Sequence, residues 1–166
     1  MEEALRELAA RLGAALTGRG WMLGCAESCT GGLLSSVLTD TPGSSAWFAG
    51  AVVSYTNDVK RDVLGVSQEI LDTVGAVSRE TVLAMARGAR GVLMADVGVA
   101  ISGIAGPAGG TPQKPVGTVW IAWQSPDAVS AEHFQFTGDR QAVRQQAVRE
   151  AMLGVLALAE RFDAGN

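Results

Sequence analysis

Residues 21–38 read WMLGCAESCTGGLLSSVL, and this stretch decides the fold class. Its first six residues form a short apolar run, which predicts a strand. The polar segment Glu27-Ser28-Cys29-Thr30-Gly31-Gly32 follows, and apolar residues then return at helical spacing over 33–38. A strand that passes through a tight glycine-containing turn into a helix is typical of α/β proteins.

The rest of the chain repeats this alternation. Apolar runs predict buried strands at 49–55 and 97–102, and two later runs flank Ser125-Pro126-Asp127 as an antiparallel pair. The predicted helices cover 2–18, 33–38, 57–64 with Asn57 as N-cap, 67–74, 78–94 and 139–162, and the remaining predicted strands cover 21–26, 118–123 and 129–136. We therefore predict one α/β domain over 1–166, with a mixed sheet between two helix layers.

Composition narrows the classes of function. Thirteen Lys and Arg against seventeen Asp and Glu give a net charge of −4, so no global positive field would hold a nucleic acid or an anionic membrane. Two cysteines and a single histidine cannot form a four-ligand zinc site, and no apolar run reaches about 18 residues. We expect a cytoplasmic protein that needs no metal and contacts neither nucleic acid nor membrane.

Ser28 is the first candidate for chemistry. It lies between a predicted strand and a predicted helix, where its hydroxyl would lie beside free backbone N–H groups of Cys29, Thr30 and Gly31. That arrangement offers a nucleophile and an oxyanion site together. An ordinary N-cap serine is the alternative interpretation. Cys29 is an alternative nucleophile, because a helix N-terminus lowers the pKa of a thiol.

A serine nucleophile needs a base, and Lys60 is the better of two candidates. His133 lies in a late predicted strand, where a packed or surface histidine is the usual explanation. Lys60 is one of only two lysines and lies in the first turn of a predicted helix, where the helix dipole and burial would favour the neutral amine. Carboxylates of Asp58 and Asp62 would restore its charge if they lie close, and a solvated surface lysine is the alternative.

Other residues are candidates for holding a substrate. The glycine-rich segment 102–111 can present backbone N–H groups to a phosphate or carboxylate, although it matches neither the Walker loop nor G-x-G-x-x-G. Arg140 and Arg144 lie one helical turn apart and can bind a phosphate, unless both are solvated. Glu27 can orient Lys60 or cap the turn, and the sequence leaves both possibilities open.

Seven segments taken together resemble the CinA C-terminal-domain family over nearly the whole chain. They are Ala26 to Gly32, Gly43 to Phe48, Ser54 to Asn57 with Lys60, Gly75 to Ser78, Ile101 to Gly110, Lys114 to Trp120, and Gly138 to Arg140. The resemblance implies an α/β/α fold in homodimers or larger oligomers. The chain looks like the stand-alone form, without the molybdopterin-binding-like domain that precedes this domain in many bacteria.

The resemblance also implies an activity. Family members hydrolyse the carboxamide of nicotinamide mononucleotide to nicotinate mononucleotide and ammonia, in pyridine-nucleotide recycling and without a cofactor. It implies Ser28 as nucleophile, Lys60 as base, and Tyr55 and Ser102 as residues lining the site. The predicted substrate-binding residues are Cys29, Thr30, Gly31, Gly103, Gly106, Gly109, Gly110 and Arg140, with Lys114 as a further local cation. A nucleotide-binding module that has lost turnover is the alternative.

Overall fold

Five strands form one mixed sheet in this computed structural model, which describes residues 1–161. The helices are α1 (Glu2–Arg19), α2 (Leu33–Thr39), α3 (Asn57–Asp62), α4 (Gln68–Thr73), α5 (Arg79–Leu93) and α6 (Arg140–Glu160), and the strands are β1 (Leu23–Glu27), β2 (Phe48–Val53), β3 (Val97–Gly103), β4 (Thr118–Gln124) and β5 (Val129–Gln135). The strand order is β2-β1-β3-β4-β5. The first three strands are parallel, whereas β4 and β5 are antiparallel to their neighbours, which confirms the mixed sheet.

Each face of the sheet buries its own hydrophobic cluster. On one face α1, α2 and α6 pack through residues such as Leu12, Leu38 and Val148. On the other face α5 packs through Val82 and Met85, together with the α3–α4 segment. Two buried clusters on opposite faces make three layers, so the predicted α/β/α architecture is confirmed.

Glycine lets α5 approach the sheet and the segment after α3 closely. A Cβ on Gly98 of β3 would overlap the carbonyl oxygen of Ala86, and one on Gly88 would overlap the carbonyl oxygen of Leu64. These close contacts fix the chain just after α3 against α5. The α3 segment, which carries Lys60, is thereby held against the body of the protein.

The second strand is not buried as predicted. We expected a buried strand over 49–55, but β2 lies at the edge of the sheet and pairs only with β1. None of its six residues is fully buried, and Val53 is 45% exposed. A short apolar run does not distinguish an edge strand from a central one, because small residues such as Ala49 and Ala51 suit both positions.

Helix ends differ from the prediction at α3. Thr56 is its N-cap rather than Asn57, because Thr56 has an extended backbone and its hydroxyl accepts a hydrogen bond from the Val59 N–H. The helix ends at Asp62 instead of 64. Ser78 and Asp139, the first residues of the predicted helices 78–94 and 139–162, are the N-caps of α5 and α6. The predicted end of α6 at 162 lies outside the described residues.

A membrane-spanning segment would need a long and strongly apolar helix. Among residues 1–161, no helix combines that length with that apolar character.

Candidate active site

The carboxyl ends of three parallel strands place the candidate residues side by side. Glu27, at the end of β1, pairs with Val53 of β2 and Ile101 of β3. Ser28, Ser54 and Ser102 follow these three residues directly and so lie at one edge of the sheet. The sequence predicts that the segments of Ser28, Tyr55 and Ser102 converge if the strands are parallel, and ligands of α/β sheets bind at this edge.

A cavity of about 280 Å³ opens where the strands end, and we call it the site cavity. Nine of the predicted site residues line it: Ser28, Cys29, Tyr55, Lys60, Ser102, Gly103, Gly106, Gly109 and Arg140. Three predicted residues do not, namely Thr30, Gly31 and Gly110. The sequence analysis missed Asn57, Ala76 and Val77, which also line the cavity, although all three lie within segments that carry the family resemblance.

Ser28 and Lys60 meet inside the site cavity. The Lys60 Nζ lies 3.0 Å from the Ser28 Oγ, and it also donates to the carbonyl oxygens of Ser54 at 2.7 Å and Tyr55 at 3.2 Å. Lys60 is only 1% exposed, so the interpretation as a surface lysine is wrong. Ser28 is not a helix cap either, because Gly32 is the N-cap of α2.

The surroundings of Lys60 favour its neutral form. Burial lowers the pKa of its amine to about 8, and the neighbouring Cys29 opposes this only in part. Within residues 1–161 no carboxylate forms an ion pair with the ammonium, and Asp58 and Asp62 both pair with Arg61 instead. The dipole of α3 does not favour the neutral amine as expected, because Lys60 lies in the last turn of this six-residue helix. An amine in this environment can accept a proton from Ser28 near neutral pH.

Glu27 caps the turn and does not orient Lys60. Its fully buried carboxylate accepts hydrogen bonds from the backbone N–H groups of Gly32, Leu34 and Ser35 and from the hydroxyls of Thr30 and Ser35. These donors hold the segment that follows Ser28 at the start of α2. The carboxylate charge is satisfied by these donors, so Glu27 does not pair with the Lys60 amine.

The Glu27 cap leads to a stability prediction. We expect Glu27→Gln to lower the free energy of unfolding by about 2–4 kcal/mol, because the amide NH₂ would face N–H donors in a buried site. Urea unfolding monitored by circular dichroism measures the change. The matched control is Glu69→Gln, an acidic residue in the first turn of α4, for which we expect a change within about 0.5 kcal/mol. Equal stability of the two variants would contradict the assignment.

The thiol alternative is disfavoured by the environment of Cys29. We expected a helix N-terminus to lower the pKa of its thiol, but burial raises that pKa to about 11. The N-terminal N–H groups of α2 are occupied by Glu27 and do not stabilise a thiolate. Cys29 therefore carries a protonated thiol near neutral pH, which is a poor nucleophile.

Comparison with known proteins agrees with this arrangement of residues. The CinA C-terminal domain matches residues 5–159. The chain belongs to this family. Among curated relatives, nicotinamide-nucleotide amidohydrolase PncC of Enterobacter agglomerans is 51% identical over 147 residues, which is 88% of this chain and 90% of the relative. The protein of the same name from Pseudomonas putida is 50% identical over 151 residues, 91% of this chain and 94% of the relative.

Solved structures of CinA proteins share the fold. The competence/damage inducible protein CihA from Agrobacterium tumefaciens superposes with a TM-score of 0.91 at 45% identity, covering 93% of this chain and 94% of that one. A CinA superfamily protein from Klebsiella pneumoniae also has a TM-score of 0.91, at 41% identity, covering 95% and 98%. The mixed α/β architecture of this CinA chain is therefore that of its family.

The two arginines of α6 make different contacts in the CinA chain. Arg140 reaches the site cavity, where it donates to the Gly106 carbonyl at 2.8 Å and to the Tyr55 hydroxyl at 3.2 Å. Arg144 donates instead to the carbonyls of Cys29 at 3.1 Å and Thr30 at 2.8 Å. Arg144 is therefore not a solvated surface arginine, because its guanidinium is bound to the protein backbone.

Polar groups without protein partners surround the rest of the cavity. The Ser102 hydroxyl is 1% exposed and has no hydrogen-bond partner within residues 1–161. In the same part of the chain, the backbone N–H groups of Ala105, Gly106, Gly109 and Gly110 donate to no protein acceptor. Such groups suit an anionic or polar ligand, since a ligand can supply the missing acceptors.

Three other candidates lie away from the chemistry. The Gly31 N–H is not free as predicted, because it donates to the Ser28 carbonyl at 3.0 Å. The structure does not bring Lys114 into the cavity, since its ammonium binds the Val74 carbonyl. His133 packs against Trp120 on β4, as expected for a histidine on the sheet surface. Residues 1–161 contain no group of three or more His, Cys, Asp or Glu that could hold a metal ion.

A larger cavity of about 580 Å³ lies between α1, α2 and the start of α6, and we call it the interhelical cavity. Arg140 lines both cavities, whereas Arg144 lines only the interhelical one. No serine–lysine pair lies in it. Size alone would favour the interhelical cavity, but the reactive groups lie in the smaller site cavity.

Proposed function

We propose that the protein is a nicotinamide-nucleotide amidohydrolase, which converts nicotinamide mononucleotide and water to nicotinate mononucleotide and ammonia. The observation that carries the mechanism is the 3.0 Å contact between the Ser28 Oγ and a buried Lys60 amine that forms no ion pair with an acid of the described residues. The substrate is supported by curated relatives that are named for this activity and are about 50% identical to the chain over most of its length.

The dyad can perform both halves of the hydrolysis. Neutral Lys60 takes the proton of the Ser28 hydroxyl while the Oγ attacks the carboxamide carbon. Lys60 then returns this proton to the amide nitrogen, the C–N bond breaks, ammonia leaves, and an ester to Ser28 remains. Water gives a proton to Lys60, attacks the ester carbon and releases the acid product, and the proton returns to the Ser28 Oγ.

The remaining site residues can hold the nucleotide. The Arg140 guanidinium forms no ion pair with an acid among residues 1–161, so its charge is available to the substrate phosphate at the mouth of the cavity. Arg140 also contacts the loop 105–110 that carries the free N–H groups, because it donates to the Gly106 carbonyl. Ser102 offers its unpaired hydroxyl to the carboxamide, and Tyr55 supports Arg140.

Mass spectrometry of a mixture of the protein and nicotinamide mononucleotide tests the function. We expect conversion to an acid about 1 Da heavier, release of one ammonia for each product, and a transient acyl adduct on the protein. Tight binding without conversion would instead support the nucleotide-binding module. If the protein neither binds nor converts nicotinamide mononucleotide, the proposed substrate is wrong.

The lowered pKa of Lys60 predicts a pH dependence. The neutral amine is the active base, so kcat/KM should rise about tenfold per pH unit below the pKa and level off above about pH 8. The profile is measured in overlapping buffers of constant ionic strength, with circular dichroism to show that the protein stays folded. A profile that is flat from pH 6 to 9, or one that falls over this range, would contradict the role of Lys60 as base.

Location and assembly complete the proposal. Both cysteines are free, which fits the reducing cytoplasm that we propose as the location. The homodimer or larger oligomer implied by the family resemblance stays a prediction, and sedimentation equilibrium of the purified protein measures it. The proposed reaction uses neither a metal nor an organic cofactor.

A further inference from the structure

Arg144 joins two parts of the chain that lie far apart in sequence. It extends from the second turn of α6 to the turn that follows Ser28, across 115 residues to Cys29. Its Nε donates to the Cys29 carbonyl and its Nη2 to the Thr30 carbonyl. A guanidinium is suited to this task because its planar fork presents two parallel N–H groups, which an ammonium does not.

These two contacts fix the direction of two peptide groups. In a trans peptide the C=O and the N–H of the same plane point in opposite directions. The Cys29 carbonyl points to Arg144, so the N–H of Thr30 points away from Arg144. The Thr30 carbonyl also points to Arg144, so the Gly31 N–H points away from Arg144, and it donates to the Ser28 carbonyl. Because the Ser28 carbonyl faces this donor, the N–H of Cys29 in the same peptide plane is turned away from the turn.

Two N–H groups next to the nucleophile are left without a partner. Within residues 1–161, neither the Cys29 N–H nor the Thr30 N–H donates a hydrogen bond to another residue. Cys29 is 6% exposed and Thr30 is fully buried. A buried N–H without an acceptor costs free energy, so such groups call for an explanation. An oxygen that gains negative charge during attack by Ser28 would supply the acceptor.

We propose that Arg144 is a positioning residue that holds the backbone N–H groups of Cys29 and Thr30 toward the developing oxyanion. The N–H of the residue after a serine nucleophile has this function in other hydrolases with a strand–turn–helix nucleophile. Arg144 itself does not touch the substrate, because it lines the interhelical cavity and not the site cavity. The proposal rests on Ser28 as nucleophile, which is part of the proposed function.

The first test separates transition-state stabilisation from substrate binding. For Arg144→Ala we expect kcat for nicotinamide mononucleotide to fall about 10²–10³-fold, the loss typical of an oxyanion donor, with KM within about threefold. The kcat of Arg144→Lys should lie between the kcat of this variant and that of the wild type. The control is Arg149→Ala on the same helix, because that guanidinium pairs only with the neighbouring Glu150 and should leave kcat unchanged.

A second readout does not depend on the natural substrate. A fluorophosphonate reacts when the Ser28 Oγ attacks phosphorus, fluoride leaves, and Lys60 takes the serine proton. The phosphoryl oxygen needs the same N–H donors, so Arg144→Ala should slow this labelling by a factor similar to its loss of kcat. If the wild type is labelled but releases no ammonia, the proposed substrate fails, and slower labelling of Arg144→Ala would still support the role of Arg144.

The interhelical cavity allows a rescue experiment. Because it opens onto Arg144, added guanidinium can enter the space that the alanine variant vacates. We expect millimolar guanidinium to restore kcat of Arg144→Ala at least about tenfold and to leave Arg149→Ala unchanged.

Folding of each variant is checked by thermal unfolding. The proposal would be overturned by a folded Arg144→Ala that keeps the wild-type kcat and labelling rate. It would also be overturned by a variant whose KM rises while its kcat is unchanged. If Arg144→Ala does not fold, Arg144→Lys replaces it in the kinetic and labelling assays, where an intermediate loss of kcat and of labelling rate would support the proposal and wild-type values of both would overturn it.

Discussion

Ser28→Ala should lose ammonia release almost completely, with kcat reduced about 10⁴-fold or more, because the oxygen atom that forms the acyl bond is removed. Binding of nicotinamide mononucleotide should stay within about threefold of the wild type, since only one oxygen atom is removed from the cavity. Steady-state ammonia release and isothermal titration measure the two quantities separately. The acyl adduct should also be absent from the mass spectrum.

Ser36→Ala is the matched control for this variant. Ser36 carries the same side chain on the exposed face of α2, only eight residues from Ser28, and should retain the wild-type kcat. If Ser28→Ala retains turnover in a preparation free of wild-type enzyme, another residue is the nucleophile. The nearest candidate is then the Cys29 thiol, despite its raised pKa.

Lys60→Arg should reduce kcat about 10³-fold or more, because a guanidinium stays protonated and cannot accept the Ser28 proton. The positive charge is kept, so a large loss would show that deprotonation matters and not charge alone. The pH profile gives a second signature. The rise of kcat/KM toward pH 8 should disappear in this variant, since the group that titrates there is gone.

Lys114→Arg is the matched control, because it changes the only other lysine and that side chain lies outside the site cavity. We expect its kcat and pH profile to equal those of the wild type. Lys60→Gln provides a second variant in case the larger arginine disturbs folding, and its loss should be similar. Near-normal turnover in a folded Lys60→Arg would rule out Lys60 as the base.

Much of the fold was predictable from local pattern. The strand–turn–helix at 21–38 and the capping residues Ser78 and Asp139 follow from short-range preferences of the chain. The convergence of Ser28, Tyr55 and Ser102 follows from parallel strands alone. The edge position of β2 was not predictable, because it depends on which strand pairs with which, and that is decided by packing of distant segments.

The residues that form the site were more predictable from the sequence than the surroundings of their side chains. Ser28 and Lys60 stand out by residue type and position, but the pKa of Lys60 depends on burial that no local pattern reveals. The role of Glu27 stayed open and the contact of Arg144 with the backbone was not predicted. The partners of both side chains are decided by three-dimensional contacts. Charged residues in a sequence do not reveal whether they will face a ligand or the protein backbone.

The contact between Arg144 and the turn after Ser28 has a consequence for protein synthesis. Ser28 and Lys60 precede α6 in the chain, so the ribosome completes both members of the dyad before it completes this helix. A prematurely terminated product that lacks α6 would contain the dyad but not the arginines that complete its surroundings. We therefore expect such a product to be inactive.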